Sequence, residues 1–450
     1  MRVLHTSDWH LGASIEQVTC RPEHDEFLDW LAETIRERAI DVLVVSGDVF
    51  HYQNPGNRDE RRYYDFLVES ARTETLRKVV VVAGNHDSPS GLDAPRRVLG
   101  ALDVEVVGGL PRDEERWEEC LVPVENDAGA VELVVAAVPY VQRARLGVSL
   151  EDDSEESLHE RFSEAFRKLY GGLADRAAER WPDARLVGTG HMTVYGADDE
   201  TEAGDYHTAL HYAEQAPKSG RDRSAGGGIE HGSVGTIEAM SPEIFDERYD
   251  YVALGHIHRS MPVGGRRHIR YSGTPVALSL EEARAARRVV VADFEAHNDR
   301  GDSPAIETLE VPKWRDKLEL AGTMKQLEEM LGGLPRECRY PPALYLTARV
   351  TAEELVADRI GPLQELLDEE YDDEWRPIIV DLQEERTDAA EAEAQEPDRQ
   401  RIDTADPMEV FAAIYERENR DGGPPPEEMV EAFREIAGEM VDDDSAEGER

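Results

Sequence analysis

Three cysteines in 450 residues, Cys20, Cys120 and Cys338, are too few and too far apart for a disulfide framework or a thiolate zinc site. A reducing cytoplasm is the compartment that fits. No apolar run approaches the roughly eighteen residues of a membrane span, and the first residues enter a strand without the basic and apolar stretches of a secretory leader. The expectation is therefore a soluble cytoplasmic protein that makes no membrane contact. Lysine is nearly missing, with six among the 50 basic residues. Acid is abundant: 97 Asp and Glu leave a net charge of -47, spread along the whole length. In dilute buffer such self-repulsion would loosen a compact state and repel nucleic acid. At about 1 M salt the Debye length shrinks to about 3 Å, and distant charges stop acting on one another. A Lys-poor, acid-rich chain of this kind is expected in a salt-rich cytoplasm such as that of a halophilic archaeon.

The length calls for two or three domains. Arg2 to Ser7 reads as a strand that delivers Asp8-Trp9-His10 into a loop. Phe27, Leu28, Leu31 and Ile35 recur at helical spacing within 24–39, and Val42 to Val45 form a buried strand ending in Gly47-Asp48. A second helix is expected over 57–72, with Tyr64, Leu67 and Ala71 inward. The strand Lys78 to Ala83 then ends in Gly84-Asn85-His86-Asp87. Further strands are expected over 104–107 and 133–141, and an acidic helix over 154–180. The strand 184–190 runs into His191, and 249–255 runs into His256-Ile257-His258. Strands over 269–273 and 288–294 close this part.

Domain organisation follows from where that pattern stops. Residues 1–297 form one domain, interrupted over 196–235 by a Gly-, Ser- and His-containing insertion without apolar periodicity. Residues 298–384 carry strands over 306–311, 343–350 and 375–382 with helices near 322–331 and 358–370, enough for a small α+β domain. An acidic linker covers 385–405, with almost nothing to bury. Two short amphipathic helices fill 406–440, the first opened by Asp406-Pro407 and the two separated by Gly and Pro, before an acidic tail at 441–450. Helices this short need a surface to dock on.

Collected from five strand ends, the polar residues are Asp8, His10, Asp48, Asn85, His86, His191, His256 and His258. Carboxylate mixed with imidazole suits manganese, iron or zinc better than magnesium alone. Residues two apart on an extended segment project to one side, so Asp8 with His10, and His256 with His258, should each present two donors together. An aspartate such as Asp48 can bridge two ions about 3.5 to 4 Å apart, the separation used for in-line attack on a phosphate. A single histidine of this set is more often a hydrogen-bonded structural residue than a ligand. Five strand ends supplying ligand types together is a far rarer accident.

The order Asp8-x-His10, Gly47-Asp48, Gly84-Asn85-His86-Asp87, Gly190-His191 and Gly255-His256-Ile257-His258 resembles the signature of the calcineurin-like metallophosphoesterases. His5-Thr-Ser-Asp-Trp-His-Leu-Gly12, Gly47-Asp-Val-Phe50, Gly84-Asn-His-Asp-Ser-Pro89 and Tyr251-Val-Ala-Leu-Gly-His-Ile-His-Arg259 are similar to the SbcD branch, the nuclease subunits of double-strand-break repair complexes. The likeness covers 1–295 strongly and the tail weakly. It implies an α/β fold: a β-sandwich flanked by helices, a small α+β capping domain and a C-terminal helical pair. It also implies a nuclease with two divalent metal ions, manganese foremost. One ion would sit on Asp8, His10, Asp48 and His258, and the other on Asp48, Asn85, His191 and His256. His86 would act beside the scissile phosphate, Asp87 would orient it, and His51 occupies a position of open role. By the same likeness, 406–440 would dock on the coiled-coil base of an SbcC-type ATPase, although packing on its own domain fits nearly as well, and the chain would form a homodimer on double-stranded DNA ends.

DNA must meet a locally basic patch on so acidic a protein. Arg259, Arg266, Arg267 and Arg270 follow the last ligand pair closely, and arginines of this kind would position a duplex without reading sequence. Two other readings stay open: a phosphatase or phosphodiesterase for small substrates, and a subunit that mainly tethers DNA ends.

Overall fold

The computed structural model describes residues 1–15, 18–142, 145–148, 155–195, 240–295, 303–336, 339–350 and 360–386. The insertion at 196–235, the linker beyond 386, the helical pair at 406–440 and the tail at 441–450 lie outside the described residues.

The described strands, in chain order, are β1 (Arg2–Thr6), the short pair β2 (Ser14–Ile15) and β3 (Val18–Thr19), β4 (Val42–Ser46), β5 (Lys78–Val82), β6 (Val104–Val107), β7 (Leu121–Glu125), β8 (Val131–Ala136), β9 (Arg185–His191), β10 (Tyr251–Gly255), β11 (Met261–Val263), β12 (Arg266–Tyr271), β13 (Arg288–Asp293), β14 (Ala305–Glu310), β15 (Lys317–Gly322), β16 (Ala343–Val350) and β17 (Ile378–Arg386). Twelve of them form two six-stranded sheets, ordered β14-β13-β1-β4-β5-β6 and β11-β12-β10-β9-β8-β7. β1, β4, β5 and β6 run parallel, and so do β8, β9, β10 and β12.

Alternation along each strand explains why the sheets stack. In β4, Val42 and Val44 enter a core shared with Val187, Val252 and Leu254 of the second sheet, while Leu43 and Val45 enter a separate core under the helices. Val80 and Val82 of β5 repeat the first choice, and Val79 and Val81 the second. A parallel strand buried on both faces must be apolar throughout, which is why these segments read as unbroken valine and leucine. The helices Arg21–Glu37 and Asn57–Ser70 cover the outer face of the first sheet. The long helix Glu155–Arg180 covers the second with Phe162, Phe166, Leu169 and Leu173.

Several expectations shift. The inward face of the second helix is Tyr63, Phe66, Leu67 and Ser70, so it is turned from the Tyr64 and Ala71 stripe. The strand expected over 133–141 begins at Val131 and ends at Ala136, short of Pro139, whose ring removes a ladder donor. Beyond the boundary drawn at 297, β14 pairs with β13 over six residues as the edge of the first sheet. The sequence patterns gave no sign of β7 or β15.

Two compact units divide the described chain. The first comprises Met1–Leu320, Leu334–Tyr345 and Leu367–Asp381. Within it, Arg315 makes a two-pronged pair with Glu23 that is buried on both sides. The second comprises Ala321–Gly333, Leu346–Leu366 and the described residues from Leu382. Its helix Met324–Gly332 starts at Thr323 with a reciprocal capping box to Gln326, which satisfies two donors that a helix start leaves free.

Candidate metal centre

β1, β4 and β5 of the first sheet and β9 and β10 of the second end at the same place, and the side chains that follow them converge. His191 is the last residue of β9, and His256 follows β10 directly. Asp8, His10 and Asp48 lie on turns after β1 and β4 with φ of 54, 47 and 50°, and His256 has φ of 94°. The neighbouring pairs therefore meet through left-handed turns, not through the alternation of an extended segment. Non-glycine residues in that region carry about 1–3 kcal/mol of strain each and need support from their surroundings. Trp9 supplies some of it: it is fully buried, packs edge-on against Phe27, Tyr63 and Phe66, and donates its indole N–H to Thr6 Oγ1 at 3.0 Å. Gly47, at φ 89°, is glycine for two reasons, since a Cβ there would also overlap His191 Nδ1.

Asp8, His10 and His258 bring ligand atoms within 4.8 Å of one another, as do Asp8, Asp48 and His191, and His10, His51 and His86. Asn85 Oδ1 stands 3.0 Å from His191 Nε2 and 3.0 Å from His256 Nδ1. All seven residues expected as metal ligands thus occupy one cluster, buried at Asp8, His10, Asp48 and His191 and half-buried at Asn85, His256 and His258. His86 is beside it, its backbone N–H donating to Asp48 Oδ1 at 2.8 Å and its Nδ1 to the carbonyl of His51 at 2.9 Å. His51 stacks on His86 with ring centroids 5.5 Å apart, and its Nδ1 is 3.4 Å from His10 Nδ1.

The donor set fits cations. A carbonyl can only accept, so the Nδ1 of His191, 2.8 Å from Ser46 O, carries a proton, and Nε2 is the nitrogen left to face a cation. That Nε2 faces Asp48 Oδ2 at 3.3 Å and the Asn85 oxygen. His258 likewise donates from Nδ1 to Glu282 at 2.8 Å, and its Nε2 faces His10 Nε2 at 3.1 Å and Asp8 Oδ1 at 4.0 Å. Lone pairs aimed at lone pairs repel unless positive charge sits among them. Protons show the same demand. Burial disfavours the charged form of His191, yet Asp48 and Asp8 raise its pKa to about 9. Burial also opposes charge on His258, and Glu282 and Asp8 raise it to about 9. His10 and His256, with less carboxylate behind them, are held neutral by burial, His256 down to about 3. Burial opposes ionisation of both aspartates. At Asp8 it wins and the pKa rises, whereas at Asp48 the surrounding histidines win and the pKa falls well below the ordinary range.

Two expected roles change. Asp87 does not orient His86: its carboxylate accepts from the backbone N–H groups of Gly84, Val49 and Phe50 at 2.8 to 3.1 Å, tying the loop after β5 to the loop after β4. Burial, with Asp48 nearby, lifts its pKa to about 6. Arg270 is only 9% exposed, inside the second sheet, so it is no surface cation. Arg259 and Arg267 are exposed and Arg266 is half-buried.

The sequence reading missed the braces. Glu282 holds His258 with one carboxylate oxygen and accepts from Leu278 N at 2.6 Å with the other. Ser7 donates to Asp8 at 2.5 Å and shares a 2.8 Å hydrogen bond with Ser272. One signal was available: Ser279-x-x-Glu282 has the form of a capping box, and Ser279 does cap the helix Leu280–Arg284. Nothing in the pattern says that the glutamate reaches a histidine instead of the backbone of its own cap.

A phosphoesterase family model, "Calcineurin-like phosphoesterase", matches residues 1–260, and the chain belongs to that family. Family membership implies divalent metal ions, and the cluster provides the side chains to hold them. Among curated relatives, the SbcD subunit of the SbcCD nuclease of Rhodobacter capsulatus is 31% identical over 338 residues, 75% of this chain and 76% of its own. Its counterpart of the same name from Escherichia coli K12 is 27% identical over 374 residues, covering 81% and 82%. That from Bacillus subtilis is 27% identical over 451 residues, covering 99% and 100%. Membership of the family and likeness along nearly the full length make this chain a metal-dependent nuclease, an enzyme of phosphodiester hydrolysis.

Proposed function

We propose that this protein is the nuclease subunit of an SbcCD-type complex and processes double-stranded DNA ends with two manganese ions. One ion is assigned to Asp8, His10, Asp48 and His258, the other to Asp48, Asn85, His191 and His256. The observation that carries the reading is the convergence of imidazole nitrogens of His191, His256 and His258 on the oxygens of Asp48, Asn85 and Asp8 within 3.0 to 4.0 Å. Bound there, two ions would polarise a phosphodiester and supply a water ready to attack at neutral pH. The rest falls to the chain. His86 keeps its Nδ1 proton on the His51 carbonyl and turns Nε2 to the substrate; as an imidazolium it would stabilise developing charge through the Nε2–H or hand that second proton to the leaving oxygen, ending as the neutral ring. His51 stacks on that ring and limits its rotation. Arg259, Arg266 and Arg267 are assigned to the DNA backbone.

Within residues 298–384, the part beyond β14 acts as a capping domain on DNA, and 406–440 dock on an SbcC-type coiled-coil ATPase. The chain works as a homodimer near the nucleoid, in a high-salt cytosol; the excess of acid over lysine supports the last of these. The deciding experiment is manganese-dependent digestion of end-labelled duplex in molar KCl, with and without the ATPase and ATP. Cutting of duplex ends stimulated by the ATPase and lost in Asp48→Asn supports the reading. Turnover of an aryl phosphodiester with no cutting of duplex would replace it with a small-substrate phosphodiesterase. For the tail, co-elution with the ATPase of a chain ended near residue 390 would remove 406–440 from the docking role.

A further inference from the structure

Behind the metal centre, within the first compact unit, a cavity of about 240 Å³ lies between the helix Leu280–Arg284 and the segment 310–317. Its lining inverts the charge of the protein. Five basic residues, Arg284, Arg287, Lys313, Arg315 and Lys317, face two acids, Glu23 and Glu310, in a chain with nearly twice as many acids as bases. Most of these cations are already matched: Arg315 holds both oxygens of Glu23, Arg284 pairs with Glu319, and Lys313 pairs with Asp316. Lys317 is not matched. It is 9% exposed, and among the described residues its ammonium has no hydrogen bond and no ion pair. Burial lowers its pKa against the pull of Glu23, whose two oxygens Arg315 already occupies. Beside it in the lining, Arg287 spends N–H groups only on carbonyls, those of Ala285 at 3.2 Å and His258 at 2.9 Å. A guanidinium has five donors, so the others remain for a ligand.

A nearly buried ammonium and a half-buried guanidinium, with no carboxylate hydrogen-bonded to either, make a receptor for a small anion. The volume falls below that of ordinary drug-sized pockets and suits a phosphate group. We propose that this cavity binds a phosphate dianion, either free or as the terminal phosphate of a DNA strand, with Lys317 as its central contact and Arg287 at its side. The site lies outside the ligand cluster and stands whether or not the nuclease reading does. It has a structural bearing on the centre, because Arg287 holds the backbone carbonyl of His258.

Equilibrium dialysis of the full chain against radiolabelled inorganic phosphate tests it, in molar KCl with EDTA so that no metal contributes. The expected result is one saturable site per chain, weakened at least tenfold in Lys317→Met and retained in Lys317→Arg and in the exposed control Lys325→Met. No saturable binding, or binding unchanged in Lys317→Met, would overturn the proposal. Should Lys317→Met fail to fold by far-ultraviolet circular dichroism, Lys317→Gln takes its place with the same expectation. Competition separates the sources: displacement by a 5′-phosphorylated duplex but not by its 5′-hydroxyl twin assigns a DNA end, and no displacement by either assigns free phosphate.

Discussion

The two sheets bring unlike halves to one centre. From the first come Asp8, His10 and Asp48, on backbone turned left-handed at each. Their carboxylates are held by backbone N–H groups, of His86 for Asp48 and of His256 for Asp8. From the second come His191 and His258, whose outer nitrogens are tied to Ser46 O and to Glu282. The first half is thus positioned mainly by left-handed turns, although Ser7 also braces Asp8, and the second mainly by hydrogen-bonded braces, although His256 also sits at positive φ. Strain fixes where a carboxylate sits, and a brace fixes which nitrogen of an imidazole is bare. A site that needs both charge and lone pairs needs both devices.

The largest expected effect comes from removing the charge that both halves share. Asp48 Oδ2 lies 3.3 Å from His191 Nε2 and 3.6 Å from His10 Nε2, so Asp48→Asn keeps the shape and loses the bridging anion. Nuclease turnover should fall by about a thousandfold or more, an order of magnitude set by losing a principal electrostatic element. Manganese titration by calorimetry should show at least one ion lost. An active Asp48→Asn enzyme with two ions would end the idea of a shared bridge.

His86 tests whether the loop after β5 acts on substrate or only shapes the site. His86→Ser leaves every expected metal ligand in place, so kcat should drop by about a hundredfold or more while manganese affinity stays within about twofold. Equal losses in both quantities would make His86 a structural member of the cluster.

Glu282 tests the braces. Glu282→Gln keeps an acceptor for His258 Nδ1 but removes the negative charge that sustains it. Manganese affinity should fall about 10- to 100-fold, the usual cost of removing a partner behind a ligand histidine. Raising manganese should then restore turnover. A loss of turnover that saturating manganese leaves untouched would show that Glu282 acts on something other than His258.

The same contrast explains what could be read from the chain alone. Ligand identities were legible because parallel strands buried on both faces are apolar without a break, so the first polar residues after Val82 or Gly255 announce themselves. The left-handed turns at Asp8 and His10 were not, since φ depends on what surrounds the chain, here Trp9 wedged among Phe27, Tyr63 and Phe66. Asp87 looked like a catalytic partner because it follows His86, but its carboxylate points back at Gly84, Val49 and Phe50. Arg270 sat in a run of arginines, yet it lies in the buried end of β12 between Ile269 and Tyr271, while Arg267 is exposed nearer the start of the strand. β14 was drawn beyond the boundary at 297, since its pairing with β13 is not visible in either strand's own sequence.

A third kind of histidine sharpens the comparison with the smallest effect. His24, in the helix Arg21–Glu37, is 2% exposed, and neither ring nitrogen has a hydrogen-bond partner. It has no brace, and burial lowers its pKa to about 3 against the pull of Asp59, whose two oxygens Arg21 holds, with His51, Lys317 and Arg21 adding to the lowering. The unfolded chain binds its proton near pH 6.5 and the folded chain resists it. The contribution of this neutral imidazole to stability is therefore complete above pH 6.5 and is lost as pH falls toward 3. For a fully buried group that loss is about 1.4 kcal/mol per pH unit. His24→Met removes a buried ring with no partners and keeps its bulk, so it should be neutral or stabilising at pH 7. Its advantage over the parent should widen by about 1.4 kcal/mol for each unit from pH 6 to pH 4, while every other titrating group cancels between the two proteins. Denaturant melts of both chains across that range, at fixed molar KCl, give the difference directly. Parallel acid limbs would mean that His24 accepts its proton in the folded state, and that burial alone does not hold an unbraced imidazole neutral.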